Sequence, residues 1–310
     1  MMQPRRLLAA TAIALLVGAS AACADEASGF AADGRLDVVT AFYPLQFLSE
    51  RIGGDAVAVT ELTKPGAEPH DVELNPRQVG AISDAGLVVY LSGFQPAVDE
   101  AVQQEAANKA FDAGSVVELL AAADGHEHAP GEEEHAEEGK DPHVWLDPVR
   151  FATITDRLAE RFGQADPARA ATYTERAKTL HTELDALNTE FATALKTCER
   201  RELVTSHTAF RYLADRYDLT EVGITGISPE SEPSPKHLAH VAEEARETGT
   251  TTIFFETLVS PKVAETIARE VGAKTAVLDP LEGLTEPDAD YFSVMRSNLT
   301  ALTSALGCTS

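Results

Sequence analysis

Short apolar runs alternate with helix-period stretches along most of the chain. Residues 36–41, 56–62 and 87–91 are rich in Val and Leu and end near Gly, Pro or Ser. Runs of that length, bounded by turn-forming residues, predict buried strands. Residues 75–85 and 96–108 carry the helical period between and after them. Strands separated by helices predict a parallel sheet with helices packed on it.

The pattern becomes helical after Asp147. Asp147-Pro148 supplies a carboxylate N-cap and a proline at the first helical position. Phe151, Ile154, Leu158 and Phe162 form one apolar stripe, and Asp166-Pro167 repeats the start signal. Tyr173, Ala177, Leu180, Leu184, Leu187, Phe191 and Leu195 then follow at spacings of three or four. A helix running on to Cys198 would be roughly 45–50 Å long at about 1.5 Å per residue. That exceeds the width of a small domain, so the helix is expected to connect two lobes.

A second alternating region predicts strands at 202–206, 221–224, 251–255 and 275–278, and helices at 209–217, 235–248, 261–271 and 289–306. The predicted fold is therefore α/β: two similar lobes, each a mainly parallel sheet flanked by helices, joined by one long rigid helix. The expected boundaries are an N-terminal lobe over 35–148, linker helices over 149–198 and a C-terminal lobe over 199–310. Open sheets bind ligands beyond the carboxyl ends of their strands, so the cleft between the lobes is the expected site.

Export changes the picture next. Arg5 and Arg6 precede a run from Leu7 to Ala22 that only Thr11, Gly18 and Ser20 interrupt. At about 16 residues this is shorter than the roughly 20 that a membrane helix needs, and residues 1–22 read as a signal peptide. Ser20-Ala21-Ala22-Cys23 resembles a bacterial lipobox, although the usual Leu three residues before the Cys is missing. The preferred reading is a lipoprotein anchored through Cys23, with 23–34 as its tether. Ordinary secretion to a soluble or periplasmic form is the alternative. With Cys23 lipidated, Cys198 and Cys308 remain, and an oxidising compartment permits a disulfide between them.

The net charge of −25 argues against nucleic acid as a partner, because binding it needs a positive footprint. Residues 124–140 contain His126, His128 and His135, several acids and no large apolar residue. Such a stretch cannot offset its ordering entropy by burial. It is expected to be a disordered loop that collects metal weakly.

Four positions in loops or at strand ends carry candidate chemistry: His70, His143, His207 and Asp279. Imidazole is the commonest zinc ligand, and zinc favours four ligands in a tetrahedron. Three imidazoles and a carboxylate would fill that shell and leave no position for a hydrolytic water, which favours capture over catalysis. Neither H-E-x-x-H nor G-x-S-x-G occurs, so no enzyme activity is expected.

The ordered motifs Pro65-Gly66-Ala67-Glu68-Pro69-His70, Asp141-Pro142-His143-Val144-Trp145-Leu146-Asp147-Pro148, Ser206-His207-Thr208-Ala209-Phe210 and Leu278-Asp279-Pro280-Leu281 resemble those of the cluster A-I substrate-binding proteins of bacterial zinc and manganese ABC importers. The resemblance covers nearly all of the chain after the signal segment. It implies His70, His143, His207 and Asp279 as the metal ligands, with Glu68 as a possible substitute for the last. His207 stands where zinc-type members carry His and manganese-type members carry Glu, which points to Zn2+, with Mn2+ possible. Glu256, at the end of a strand, is expected to orient a ligand His. The implied function is high-affinity zinc capture outside the cytoplasm and delivery to an ABC permease in the membrane. The alternatives are a manganese or iron importer component and a metal-sequestering surface adhesin. Trp145 is expected to pack near the site, and His181, His237 and His240 to be exposed.

Overall fold

A computed structural model describes residues 29–122, 139–286 and 288–309. Residues 1–22, read from the sequence as a signal peptide, Cys23 and the loop histidines His126, His128 and His135 lie outside the described residues. The N-terminal lobe runs β1 (Leu36–Thr40), α1 (Tyr43–Gly53), β2 (Val57–Glu61), α2 (Pro76–Asp84), β3 (Leu87–Tyr90), α3 (Pro96–Glu105) and β4 (Ala110–Asp112). Its strands pair in parallel in the order β2-β1-β3-β4. The central strands β1 and β3 bury Leu36, Val38, Val39, Leu87, Val88 and Val89, as unbroken apolar runs in a parallel sheet should. The edge strand β4 holds only Ala110, Phe111 and Asp112, too short a run to register as a strand from its pattern.

Helices α4 (Pro148–Ala165) and α5 (Ala170–Ala194) follow and pack against each other. Asp147 caps α4, its carboxylate accepting from the Val149 N–H at 2.9 Å. Helix α5 has 25 residues, which gives about 37 Å at 1.5 Å per residue, shorter than its pattern suggested. The helix stops because the chain turns at Leu195, whose carbonyl accepts from Arg201 at 2.7 Å. It nevertheless bridges the lobes. Arg176 on its first half donates to the Gly53 carbonyl, and Asn188 on its second half accepts from Tyr217.

The C-terminal lobe repeats the architecture: β5 (Glu202–Thr205), α6 (Arg211–Tyr217), β6 (Thr220–Gly223), α7 (Pro235–Glu247), β7 (Thr252–Phe255), α8 (Lys262–Val271), β8 (Lys274–Val277) and α9 (Tyr291–Leu306). Its order, β6-β5-β7-β8, is all parallel and matches the first sheet. One core runs through the N-terminal lobe, the helix pair and the inner face of the second lobe. A smaller one lies under α7 and α8 around Val204, Val241, Ile253 and Ile267. A disulfide joins Cys198 to Cys308, tying the chain after α5 to its end after α9. No described helix is long and apolar enough to cross a membrane.

Candidate metal site

The two lobes present their strand ends and loops to a shared cleft. His70 lies in the loop between β2 and α2, where the preceding peptide is pinned by the buried Gln95. The Gln95 amide donates to Thr63 Oγ1 and to the Pro69 carbonyl, both at 3.0 Å. The His70 N–H donates to Glu68 Oε1 at 3.1 Å, and its ring stands edge-on to Phe94 at 4.6 Å. His143 opens the short turn that leads into α4. Asp141 Oδ1 holds it twice, at 3.0 Å from its backbone nitrogen and 2.9 Å from Nδ1. His207 lies two residues beyond the end of β5. Gly223, at the end of β6, lets that loop pack closely, since a Cβ there would lie 2.2 Å from Thr208 Oγ1. Glu256, just after β7, sits 2.8 Å from His207 Nδ1 and accepts from Ser206 Oγ at 2.7 Å.

These loops bring four donor atoms together: the Nε2 atoms of His70, His143 and His207, and Oε1 of Glu282. Glu282 Oε1 lies 3.4 Å from His70 Nε2 and 3.2 Å from the Nε2 of both His143 and His207. The two latter nitrogens are 3.4 Å apart. Each of these residues can offer one ligand atom, with all four such atoms within 4.8 Å of one another. Zinc bound at about 2.0–2.1 Å in a tetrahedron separates its ligand atoms by about 3.3–3.4 Å. Four of the six donor separations, at 3.2–3.4 Å, are therefore close to those of a zinc shell. His143, His207 and Glu282 are at most 1% exposed, and His70 is 8% exposed.

The electrostatics fit a cation. Burial alone would push the Glu282 carboxyl up, but the three imidazoles around it hold it well below the usual range. Burial works against a charged His143, yet the hydrogen bonds to Asp141 and Glu282 outweigh it and raise His143 to about 9. His207 is raised well above its ordinary value in the same way, by Glu282 and Glu256 against the cost of burial. His70 goes the other way, because burial outweighs its contact with Glu282. One oxygen each of Asp141, Glu256 and Glu282 is buried with no hydrogen-bond partner. A dication bound among the imidazoles would compete with protons for their ring nitrogens.

Asp279 does not join this group, which corrects the expectation from the sequence. Its Oδ1 accepts from the Leu281 N–H at 2.8 Å and its Oδ2 from Thr257 Oγ1 at 3.0 Å. Asn298 on α9 clamps both its backbone groups, at 2.9 and 2.7 Å. Asp279 thus shapes a tight loop in which Leu281 adopts φ 60°, and the chain emerges with Glu282 facing the imidazoles. The signal available for Glu282 was an acid set between Leu281 and Leu284 in a loop after a strand. Asp141 was also overlooked as a partner, although it stands two residues before His143. Glu68 spends one oxygen on the His70 N–H, and burial raises its carboxyl to about 7. It is not among the four clustered donors. His240 is exposed, as expected, whereas His181 and His237 are half-buried, bonded to Asp156 and to the Gly223 carbonyl.

The family described as zinc-uptake complex component A, periplasmic (ZnuA) matches residues 38–305. The chain belongs to this family. It is 36% identical over 288 residues to the zinc-binding protein AdcA of Streptococcus pyogenes serotype M3, a match covering 87% of the chain and 56% of AdcA. The chain thus spans little more than half the length of that relative. It is also 36% identical over 298 residues to the high-affinity zinc uptake system protein ZnuA of Bacillus subtilis, covering 92% of the chain and 93% of the relative. The crystal structure of the Zn(II)-bound ZnuA-like domain of Streptococcus pneumoniae AdcA matches with a TM-score of 0.73 and 34% identity, over 88% of this chain and 99% of that domain. The two-lobe architecture is thus that of the ZnuA family.

Proposed function

We propose that this protein captures Zn2+ outside the cytoplasm and delivers it to the permease of an ABC-type importer. His70, His143, His207 and Glu282 are the ligands in this reading, with Asp141 and Glu256 orienting two of the imidazoles. The observation that carries it is the buried cluster of three imidazoles and one carboxylate at separations of 3.2–3.4 Å. The zinc-binding and zinc-uptake relatives support it. So does the donor chemistry, because three nitrogens favour zinc, whereas a site richer in carboxylate would favour manganese. A filled four-ligand shell suits capture and release. Anchoring through a lipid on Cys23 fits the same role, since it would keep the binding protein beside its permease.

The test is calorimetric titration of metal-stripped protein with Zn2+ and Mn2+. One tight zinc equivalent, with manganese at least about a hundredfold weaker, is expected; that ratio corresponds to about 2.7 kcal/mol. Equal affinities, or no tight zinc equivalent, would sink the proposal. Mass spectrometry of the exported protein checks the anchor, which requires a diacylglyceryl mass on a chain beginning at Cys23.

A further inference from the structure

We infer that Trp145 is a positioning residue that sets Glu282 against the three imidazoles. The inference rests on the zinc-binding reading above. Trp145 is the only tryptophan in the chain, is 1% exposed, and stands two residues after His143. By sequence it belongs to the first lobe, and its ring packs on Phe42, Phe94 and His143, with centroids 4.8, 5.4 and 5.3 Å away. Its indole N–H and its backbone carbonyl are nevertheless both bonded to the second lobe. The indole N–H donates to the Pro280 carbonyl at 2.7 Å, and the Trp145 carbonyl accepts from Tyr291 Oη at 2.7 Å.

Pro280 follows Asp279 and stands two residues before Glu282, in the turn that carries the carboxylate donor. That turn has two holds. Asn298 grips its start at Asp279 from within the second lobe. The Trp145 indole grips its middle from across the cleft. The stretch beyond Pro280 passes through Leu281 at φ 60°, a conformation that costs a side-chain-bearing residue about 1 kcal/mol or more and persists only when its surroundings impose it. The indole supplies one of those constraints just ahead of Leu281. Because the same ring packs on His143, the residue that seats one imidazole also seats the carboxylate that meets it. Zinc affinity therefore depends on a hydrogen bond that touches no donor atom.

The experiment compares zinc affinity, by chelator competition, in the parent, Trp145→Phe, Glu282→Ala and the double variant. Trp145→Phe should weaken zinc binding about tenfold in the parent, the scale of a lost orienting contact. In the Glu282→Ala background it should change affinity by less than about twofold, because the group it positions is gone. An equal loss in both backgrounds makes Trp145 a general packing residue and overturns the inference; so does no loss in the parent background. Since Trp145 is the sole tryptophan, biosynthetic replacement by benzothienylalanine changes only this position, keeps the ring's shape and deletes the N–H. It reads the same bond if Trp145→Phe fails to fold. A parent protein that binds no zinc overturns the functional reading itself, and is distinguished by that first titration.

Discussion

In the C-terminal lobe both donors sit in loops that follow strands, His207 after β5 and Glu282 after β8. In the N-terminal lobe only His70 does. His143 occupies the turn before α4, and that turn is bonded to the opposite lobe at several points. Tyr212 donates to the Asp141 carbonyl at 2.7 Å, Arg216 donates to Asp147 at 3.0 and 2.8 Å, and Trp145 bonds Pro280 and Tyr291. The loop around His70 is held by Glu68, Gln95 and Phe94 of its own lobe, and reaches the other lobe at Glu282. The same sheet order therefore delivers two kinds of donor. Three belong to one hydrogen-bonded body that spans the lobes, whereas His70 touches the opposite lobe only through Glu282 among the hydrogen bonds of the described residues.

The largest effects should come from that preformed body. His143→Ala or His207→Ala should weaken zinc binding roughly a hundredfold, at or beyond the upper end of what loss of an outer contact costs. His70→Ala should cost about tenfold, since no carboxylate among the described residues hydrogen-bonds its Nδ1. Chelator competition measures all three; an equal loss at each position would erase the distinction. The next comparison sets Glu282→Gln against Asp279→Asn. The first removes a donor charge and should cost about tenfold or more. The second loosens a turn and should cost only a few-fold. The reverse order would restore Asp279 as the ligand.

Acid should act on the same body. In the proposed site zinc and protons would compete for the Nε2 atoms, and the hydrogen bonds to Asp141 and Glu282 raise His143 to about 9. Affinity should therefore fall at least about tenfold from pH 7.5 to 5.5, and a flat profile would argue against histidine ligation. The metal-free protein should show the opposite trend in stability. A histidine raised from 6.5 to about 9 in the fold stabilises fully below about 6.5, and that contribution is lost as pH rises through about 9. A melting temperature of the metal-free form that does not drop between pH 7 and pH 9.5 would contradict this. The smallest effect on the metal should come from reducing Cys198–Cys308. The disulfide lies outside the donor cluster, so reduction should leave zinc affinity within about twofold while lowering stability by about 2–4 kcal/mol, read as a fall in melting temperature.

Much of this was legible in the chain because it is local. Strands buried on both faces must be apolar throughout, so β1, β3, β5 and β7 stand out, and a stripe at spacings of three and four marks α5. His70, His143 and His207 were legible because each sits in a short motif at or near a strand or helix end. The end of α5 was not, since its apolar stripe continues to Leu195 and only the tertiary bond from Arg201 shows the turn there. Nor was the half-burial of His237, which depends on the Gly223 carbonyl coming within 3.0 Å.

The amino-acid sequence by itself determined the two α/β lobes, the bridging helix and three imidazoles placed to meet between them. Only the tertiary structure decided which acid joins them. Asp279 and Glu282 are equally good donors chemically and lie in one short loop, so composition and spacing cannot rank them. The choice follows from the path of the backbone: the Leu281 N–H and Thr257 hydroxyl engage the Asp279 carboxylate, Asn298 clamps the Asp279 backbone, Leu281 turns the chain through a left-handed conformation, and Trp145 pins Pro280 from across the cleft. Apart from Leu281, those constraints come from residues distant in sequence, and together they leave Glu282 facing the site.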